Sequence, residues 1–266
     1  MTKLRGFFVF LYYKFTHMKE KIAIPGPNGT LNALLQLPAA GYAGPVTILM
    51  HGFMANLKMN PIKSIAAALE KEGMATLRFD FNGHGKSGGR FQDMTVGKEL
   101  SDARAVLDYV KKRFPGQKTA LLGHSQGGVV AGMTAGEFKE DVAALVQLSP
   151  AAVLKDDALN GVLMGKHYDP ANPPETLRLL FHRVGRGLFL DAQKLPIYEV
   201  SSRYDGPVLL IHGKKDRIVP YSYSERYHAL YPQSELVLLE KEGHLLSKCR
   251  KEVVARCVEF LKKNLR

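Results

Sequence analysis

Short runs of consecutive apolar residues alternate along this chain with longer stretches in which apolar residues recur every three or four positions. Val46–Met50, Met74–Asp80, Lys118–Leu122, Val142–Leu148 and Val208–His212 are runs of the first kind. Too short for helices and bounded by turn residues, they read as strands buried on both faces. Pro61–Glu72 and Thr95–Phe114 read as helices, the first opening on Pro and the second closed by Pro115-Gly116. Lys19–Leu37 reads as a hairpin with Pro25-Gly26-Pro27-Asn28-Gly29 as its turn. Further on, Tyr221–Leu230 reads as a helix, Glu235–Leu239 as a strand, and Ser247–Leu265 as a terminal helix. This alternation predicts an α/β fold, a mostly parallel central sheet with helices on both faces. After Pro150 the rhythm breaks: residues 151–204 hold many turn residues and little strand pattern. They are expected to form a small inserted lid subdomain over the strand ends of a core made of 18–150 and 205–266.

Residues 1–17 stand apart. Their short apolar run follows two basic residues, is interrupted by Lys14 and lacks a small-residue cleavage site. It is too short to span a bilayer. The expectation is an N-terminal extension ahead of a functional chain that begins at Met18, with a peripheral amphipathic anchor as the alternative.

The chemistry centres on Gly123-His124-Ser125-Gln126-Gly127-Gly128, between the Lys118–Leu122 strand and a helix expected over Val129–Phe138. Gly-x-Ser-x-Gly in that setting makes a sharp turn that lifts the serine above the sheet. Side chains at 123 and 127 would collide with the neighbouring strand and helix, which accounts for both glycines. A serine hydroxyl is a weak nucleophile and needs an imidazole to take its proton. The imidazole needs an acceptor that fixes its tautomer and steadies its charge. Asp216 lies just past the Val208–His212 strand, and His244 just past Glu235–Leu239. Loops at the carboxyl ends of parallel strands open onto one crevice, so the three can converge there. Of the nine histidines, only His244 sits in a Gly-His loop after the last strand. His51 and His84 are expected to tie loops together, and His124 to point into supporting structure. Asp141 and Asp205 precede their strands, at the wrong end of the sheet. Two N–H donors are needed where negative charge develops; the backbone amides of Phe53 and Gln126 are expected to supply them. Gly83–Gly88 satisfies G-x-G-x-x-G literally. No helix opens directly on it, and no acidic residue ends a strand about 20 residues later. It is expected to be a tight loop beside the active site.

Composition narrows the picture further. With 266 residues, 45% of them apolar, the chain suits one large domain carrying an insertion. The net charge is +12, but Lys and Arg are dispersed and no nucleic-acid-binding motif is present, so no nucleic-acid partner is expected. Cys249 and Cys257, eight apart on a predicted helix, would lie roughly 12 Å from each other, too far to bridge. A reducing cytoplasm fits that usage. No Cys/His cluster has metal spacing, and neither metal nor cofactor is expected.

From Met18 onward these residues resemble the α/β-hydrolase superfamily. His51–Asn56, Arg78–Gly85, Met94–Val96, Gly123–Ala131, Pro150–Leu159 and Leu195–Ser201 resemble, more narrowly, the bacterial cinnamoyl (feruloyl) esterases. The resemblance implies an α/β-hydrolase fold with an inserted lid, and hydrolysis of ferulate, caffeate or p-coumarate esters through an acyl-enzyme. It implies that Asp157 contacts the aromatic hydroxyl. It also implies that Phe189 stands where the family has a Tyr, which removes a hydroxyl. The expected partner is a small aromatic ester, with no stable membrane insertion; a homodimer is compatible with this reading. The alternatives are a general carboxylesterase, a monoacylglycerol lipase, a thioesterase or a serine peptidase of the same fold. The last is a non-catalytic binding protein on that scaffold.

Overall fold

In the computed structural model, which describes residues 18–265, the apolar runs become the inner strands of an eight-stranded sheet. The segment 1–17 expected to be an extension lies outside the described residues. The chain opens with the hairpin β1 (Met18–Gly26) and β2 (Gly29–Leu37), then β3 (Val46–Met50), α1 (Ile62–Lys71) and β4 (Ala75–Phe79). Next come α2 (Val96–Arg113), β5 (Thr119–His124), α3 (Gln126–Glu137) and β6 (Ala144–Leu148). The segment expected as an insertion holds α4 (Val153–Leu159), the ribbon β7 (Val162–Leu163) with β8 (Lys166–His167), the ribbon β9 (Thr176–Leu179) with β10 (His182–Gly185), α5 (Arg186–Lys194) and α6 (Ile197–Ser201). The chain closes with β11 (Val208–Gly213), α7 (Ser222–Leu230), β12 (Ser234–Leu239) and α8 (Arg250–Leu265).

The sheet order is β1-β2-β4-β3-β5-β6-β11-β12. The pairs β1/β2 and β2/β4 are antiparallel; every later neighbour is parallel. Each inner strand divides its side chains between two cores, as the period of two requires. Ile48, Met50, Leu121, Leu145 and Leu210 meet the buried faces of α2, α3 and α7, while Leu49, Leu122, Val146 and Ile211 meet α1 and α8. Topology positions the site: β4 lies on one side of β3 and β5 on the other. The loops leaving β3 and β5 therefore diverge and open a crevice at their carboxyl ends.

Three expectations need correction. First, the helix after Ser125 starts at Gln126 rather than Val129. The glycines belong to its first turn, where the Ser125 carbonyl already accepts from the Gly128 and Val129 amides. Second, residues 151–204 hold two antiparallel ribbons; strands of two and four residues are too short to display a period. Third, Cys249 precedes α8 instead of lying on it, and both cysteines are free thiols. Among the described residues no helix is long and apolar enough to cross a membrane.

Several polar ties fasten the 151–204 segment to its neighbours, among them the Tyr198 hydroxyl to the Tyr223 carbonyl and the Tyr204 hydroxyl to the Val142 carbonyl. The Gly97 amide in the first turn of α2 donates to Asp191 Oδ2 on α5 at 3.0 Å. The Tyr223 hydroxyl on α7 donates to Asp156 Oδ2 on α4 at 2.7 Å.

Candidate active site

Ser125 occupies the junction of β5 and α3 with φ 58° and ψ −124°, a backbone an L-residue adopts only under strain. The surroundings explain how it is held. Its amide donates to the Leu148 carbonyl on β6 at 2.9 Å. A Cβ at Gly123 would run into the Gly127 carbonyl, and one at Gly127 into the His51 carbonyl. The two flanking positions thus admit only hydrogen, as the motif requires. Gly52 is equally constrained: a Cβ there would lie 2.9 Å from Ser125 Cβ and 3.4 Å from its Oγ.

The three residues expected to converge do so. His244 Nε2 lies 2.8 Å from Ser125 Oγ, and His244 Nδ1 lies 2.7 Å from Asp216 Oδ2. The Asp216 side chain is fully enclosed. Its Oδ1 accepts from the Ile218 and Val219 amides, each at 2.9 Å. Burial alone would raise the Asp216 carboxyl. Hydrogen bonds from His212, His244 and the Val219 amide outweigh that and hold it well below the usual carboxylate range. One residue not legible in the chain is His212. Its Nε2 lies 3.1 Å from the same Asp216 oxygen and 3.0 Å from the Val219 carbonyl. Both are acceptors, so Nε2 carries the proton, and Nδ1 accepts from the Ser224 hydroxyl at 2.7 Å. The only visible signal was a His closing a buried strand four residues before an Asp. His124 serves as support: its Nε2 donates to the His244 carbonyl at 2.9 Å, and burial lowers its pKa to about 4.

The loop after β3 brings Phe53 to the same cavity as Ser125 and Gln126. Among the described residues neither the Phe53 nor the Gln126 amide has a hydrogen-bond acceptor, so both are available to a developing anion. The loop is braced from behind. His51 Nε2 accepts from the Phe81 amide at 3.1 Å, which leaves Nδ1 to donate to the Gly52 carbonyl at 2.8 Å. Burial drives His51 down to about 4, so it stays neutral. At the end of β4, Asp80 Oδ1 accepts from the Leu57 amide at 2.7 Å, and Arg78 Nη1 donates to the Leu57 carbonyl at 2.6 Å. Asp80 Oδ2 accepts from the Lys86 amide at 2.9 Å, which folds the Gly83–Gly88 loop back on the strand. That loop carries His84, whose ring packs on His51 and Phe91, as a tight structural loop should.

A cavity of about 350 Å³ opens beside Ser125 under α4 and α5. Its walls are largely apolar. Asp157 and Phe189, both singled out from the chain, line it. Burial, and then the charge of Asp156, raise the Asp157 carboxyl. Tyr168 also lines it and was not foreseen; its ring centroid lies 4.4 Å from that of Phe189. The Tyr168 hydroxyl donates to the Ala158 carbonyl on α4 at 3.3 Å. On the side of the loop after β11, exposed Arg217 lines the mouth. Among the described residues no cluster of three or more His, Cys, Asp or Glu is placed to hold a metal ion.

Beneath Gln126 lies Glu99 on α2, buried, with its Oε2 accepting from Gln126 Nε2 at 2.8 Å. Burial raises its carboxyl from an ordinary 4.5 to about 8; Asp102 and Asp191 add to the shift and the Gln126 bond opposes it. The folded chain thus keeps a proton that the unfolded chain releases above pH 4.5, and stability falls from there up to about pH 8. Glu99→Gln keeps an acceptor for Gln126 and has no proton to lose. Its stability relative to the parent should rise across that window and then level off, by on the order of 5 kcal/mol. Urea denaturation at the two ends of the window checks this; an advantage that does not change with pH would contradict it.

Comparison with known proteins gives a consistent picture. The family described as serine aminopeptidase, S33 matches residues 44–169, and the family described as alpha/beta hydrolase fold matches residues 182–248. A structure of Est1E from Butyrivibrio proteoclasticus with ferulic acid bound superposes with a TM-score of 0.88 and 32% identity, covering 91% of this chain and 98% of that one. The mitochondrial palmitoyl-protein thioesterase ABHD10 of Mus musculus is 26% identical over 217 residues, which span 75% of this chain and 69% of the relative. A monoacylglycerol lipase of Mycolicibacterium smegmatis is 25% identical over 209 residues, 67% of this chain and 72% of the relative.

Proposed function

We propose that this chain, which belongs to the α/β-hydrolase superfamily, is a serine carboxylesterase acting on hydroxycinnamate esters through an acyl-enzyme. The observation that carries the reading is the hydrogen-bonded line Ser125 Oγ, His244 Nε2, His244 Nδ1, Asp216 Oδ2, with Ser125 lining an apolar cavity. In the first half-reaction Ser125 Oγ attacks the ester carbonyl carbon while His244 Nε2 takes its proton. The carbonyl oxygen becomes an oxyanion held by the Phe53 and Gln126 amides. The intermediate collapses, the C–O bond to the alcohol breaks, and His244 returns the proton to the departing alcohol. In the second half-reaction His244 takes a proton from water, which attacks the acyl carbon; Ser125 leaves with that proton and the free acid is released. Asp216, ionised throughout, orients His244 and steadies its positive charge. Residues 151–204 act as the lid whose cavity receives the acyl group.

The finer assignment to hydroxycinnamates draws on the cavity and on the likeness to Est1E with ferulic acid. A flat aromatic acyl group suits apolar walls that include Phe189 and Tyr168. At the far end a phenolic hydroxyl needs a polar partner, and the raised carboxyl of Asp157 with the Tyr168 hydroxyl supplies that chemistry. The test is a kcat/KM comparison of methyl ferulate, methyl p-coumarate and methyl cinnamate with p-nitrophenyl butyrate, a monoglyceride and a palmitoyl thioester. The hydroxylated cinnamates should lead. Asp157→Ala should raise KM for methyl p-coumarate about tenfold and leave methyl cinnamate nearly unchanged. Equal effects on the two would remove Asp157 from phenol recognition. A lead for the palmitoyl thioester or the monoglyceride would keep the mechanism and reassign the acyl group.

A further inference from the structure

The loop joining β9 to β10 departs from what a hairpin ordinarily requires. Leu179 pairs with His182, so the loop is the two residues Leu180-Phe181. Leu180 has φ 48°, a left-handed backbone that such loops give to Gly or Asn. Neither side chain contributes to the core: Leu180 is 75% exposed and Phe181 96%. One pair back along the ribbon, Arg178 faces Arg183 directly, and both are exposed. Among the described residues neither guanidinium has a carboxylate partner. Like charges directly opposite destabilise a ribbon. Strain, exposed apolar area and facing like charges thus coincide, and the one bond the pair makes there among the described residues, Arg178 Nε to the Leu180 carbonyl, is long at 3.5 Å. Local rules broken together without a folding return mark a functional element.

The rest of the ribbon is firmly seated. The His182 ring lies 4.6 Å from that of Phe91, which lies 5.4 Å from Phe53 in the cavity wall. The loop is thus anchored on the neighbourhood of the cavity. Other large apolar side chains of the same segment are exposed as well: Leu159, Met164 and Leu190. Met164, at φ 50° in the loop of the other ribbon, lines the cavity itself.

We propose that Leu180 and Phe181, with Arg178 and Arg183, form a docking finger for an anionic phospholipid surface. The two apolar side chains enter at headgroup depth, and the two guanidinium groups pair with lipid phosphates. A neighbouring protein could also receive an apolar finger. The paired arginines, on a chain of net charge +12, favour a surface of diffuse negative charge. Attachment is peripheral and does not rest on the esterase chemistry.

The test uses the full chain in sedimentation with vesicles of phosphatidylcholine alone and of phosphatidylcholine mixed with phosphatidylglycerol. The parent should pellet with the mixed vesicles and much less with the neutral ones. Leu180→Gly/Phe181→Ser gives the loop residues that its backbone favours, so the thermal midpoint should hold or rise while vesicle affinity falls about tenfold. Arg178→Gln/Arg183→Gln should lose a similar factor, and only on the anionic vesicles. Turnover of a soluble p-nitrophenyl ester should be the same in all three. Because the chain contains no Trp, Phe181→Trp provides a single reporter whose emission should shift to the blue on the mixed vesicles. A parent that stays in the supernatant, variants that bind as well as the parent, or an unshifted emission would each overturn the proposal. So would a parent dimer without vesicles that Leu180→Gly/Phe181→Ser dissolves, which would assign the finger to a second copy of the chain.

Discussion

Ser125→Ala is expected to lower kcat on a p-nitrophenyl ester by roughly 10⁴- to 10⁶-fold and to abolish labelling by a fluorophosphonate probe. The size of the loss follows from the arrangement. In the proposed mechanism the hydroxyl is the atom that forms the covalent bond, and it is the one that His244 Nε2 meets at 2.8 Å. What survives its removal is the pair of amides at Phe53 and Gln126 and the cavity, which can still orient water and hold the oxyanion. Ligand affinity should therefore persist while turnover vanishes. The variant should fold as the parent does, because alanine keeps the Cβ that packs against Gly52 and meets the same strained φ of 58°. Unchanged thermal melting together with loss of labelling is the expected pair of results. A variant that retained labelling, or lost less than tenfold in kcat, would remove Ser125 from the chemistry and sink the proposed mechanism.

Asp216→Asn is expected to cost about 10⁴-fold in kcat. Asp216 Oδ1 must accept from the Ile218 and Val219 amides, so an asparagine would turn its carbonyl oxygen to them. Its NH₂ group would then face His244 Nδ1 and His212 Nε2. His244 would have to accept at Nδ1 and carry its proton on Nε2, leaving no lone pair for the Ser125 hydroxyl. Stability should fall as well. A carboxyl held below its ordinary value of 3.8 contributes stability that is present above that value and lost as pH falls through the lowered one. At neutral pH the variant should be less stable by roughly 2 kcal/mol. Steady-state kinetics and urea denaturation at neutral pH check both halves. A variant within tenfold of the parent in kcat would mean that His212 or the backbone sets the His244 tautomer instead.

How much of this was legible in the chain depends on whether a residue's role is tied to a local pattern. Val46–Met50 announced β3 to the residue, and Thr95 and Phe114 proved to cap α2 at its two ends. Ser125 was legible because its glycines have one steric explanation. Asp216 and His244 were legible because topology brings the ends of parallel strands together. His212 was not, since a histidine ending a buried strand looks like that strand's last residue until Asp216 Oδ2 is seen beside it. Glu99 was hidden as one acidic residue on an amphipathic helix; only the fold buries it under Gln126. Tyr168 lay in a segment whose strands are too short to betray a register, so nothing in the chain set it against Phe189.

The bond from the Gly97 amide to Asp191 ties α5 to the turn of α2 that also carries Glu99, and Glu99 holds the Gln126 side chain. A chimera that exchanged residues 151–204 for the corresponding piece of another hydrolase would sever that tie unless it supplied a carboxylate at the same place. Grafts that keep an acid there should accept new acyl groups at near-parental turnover, whereas grafts without one should lose turnover on every substrate alike. Redesigning selectivity therefore depends on keeping the carboxylates of Asp191 and Asp156, which fasten the transplanted piece to α2 and α7, as well as on the side chains that meet the ligand.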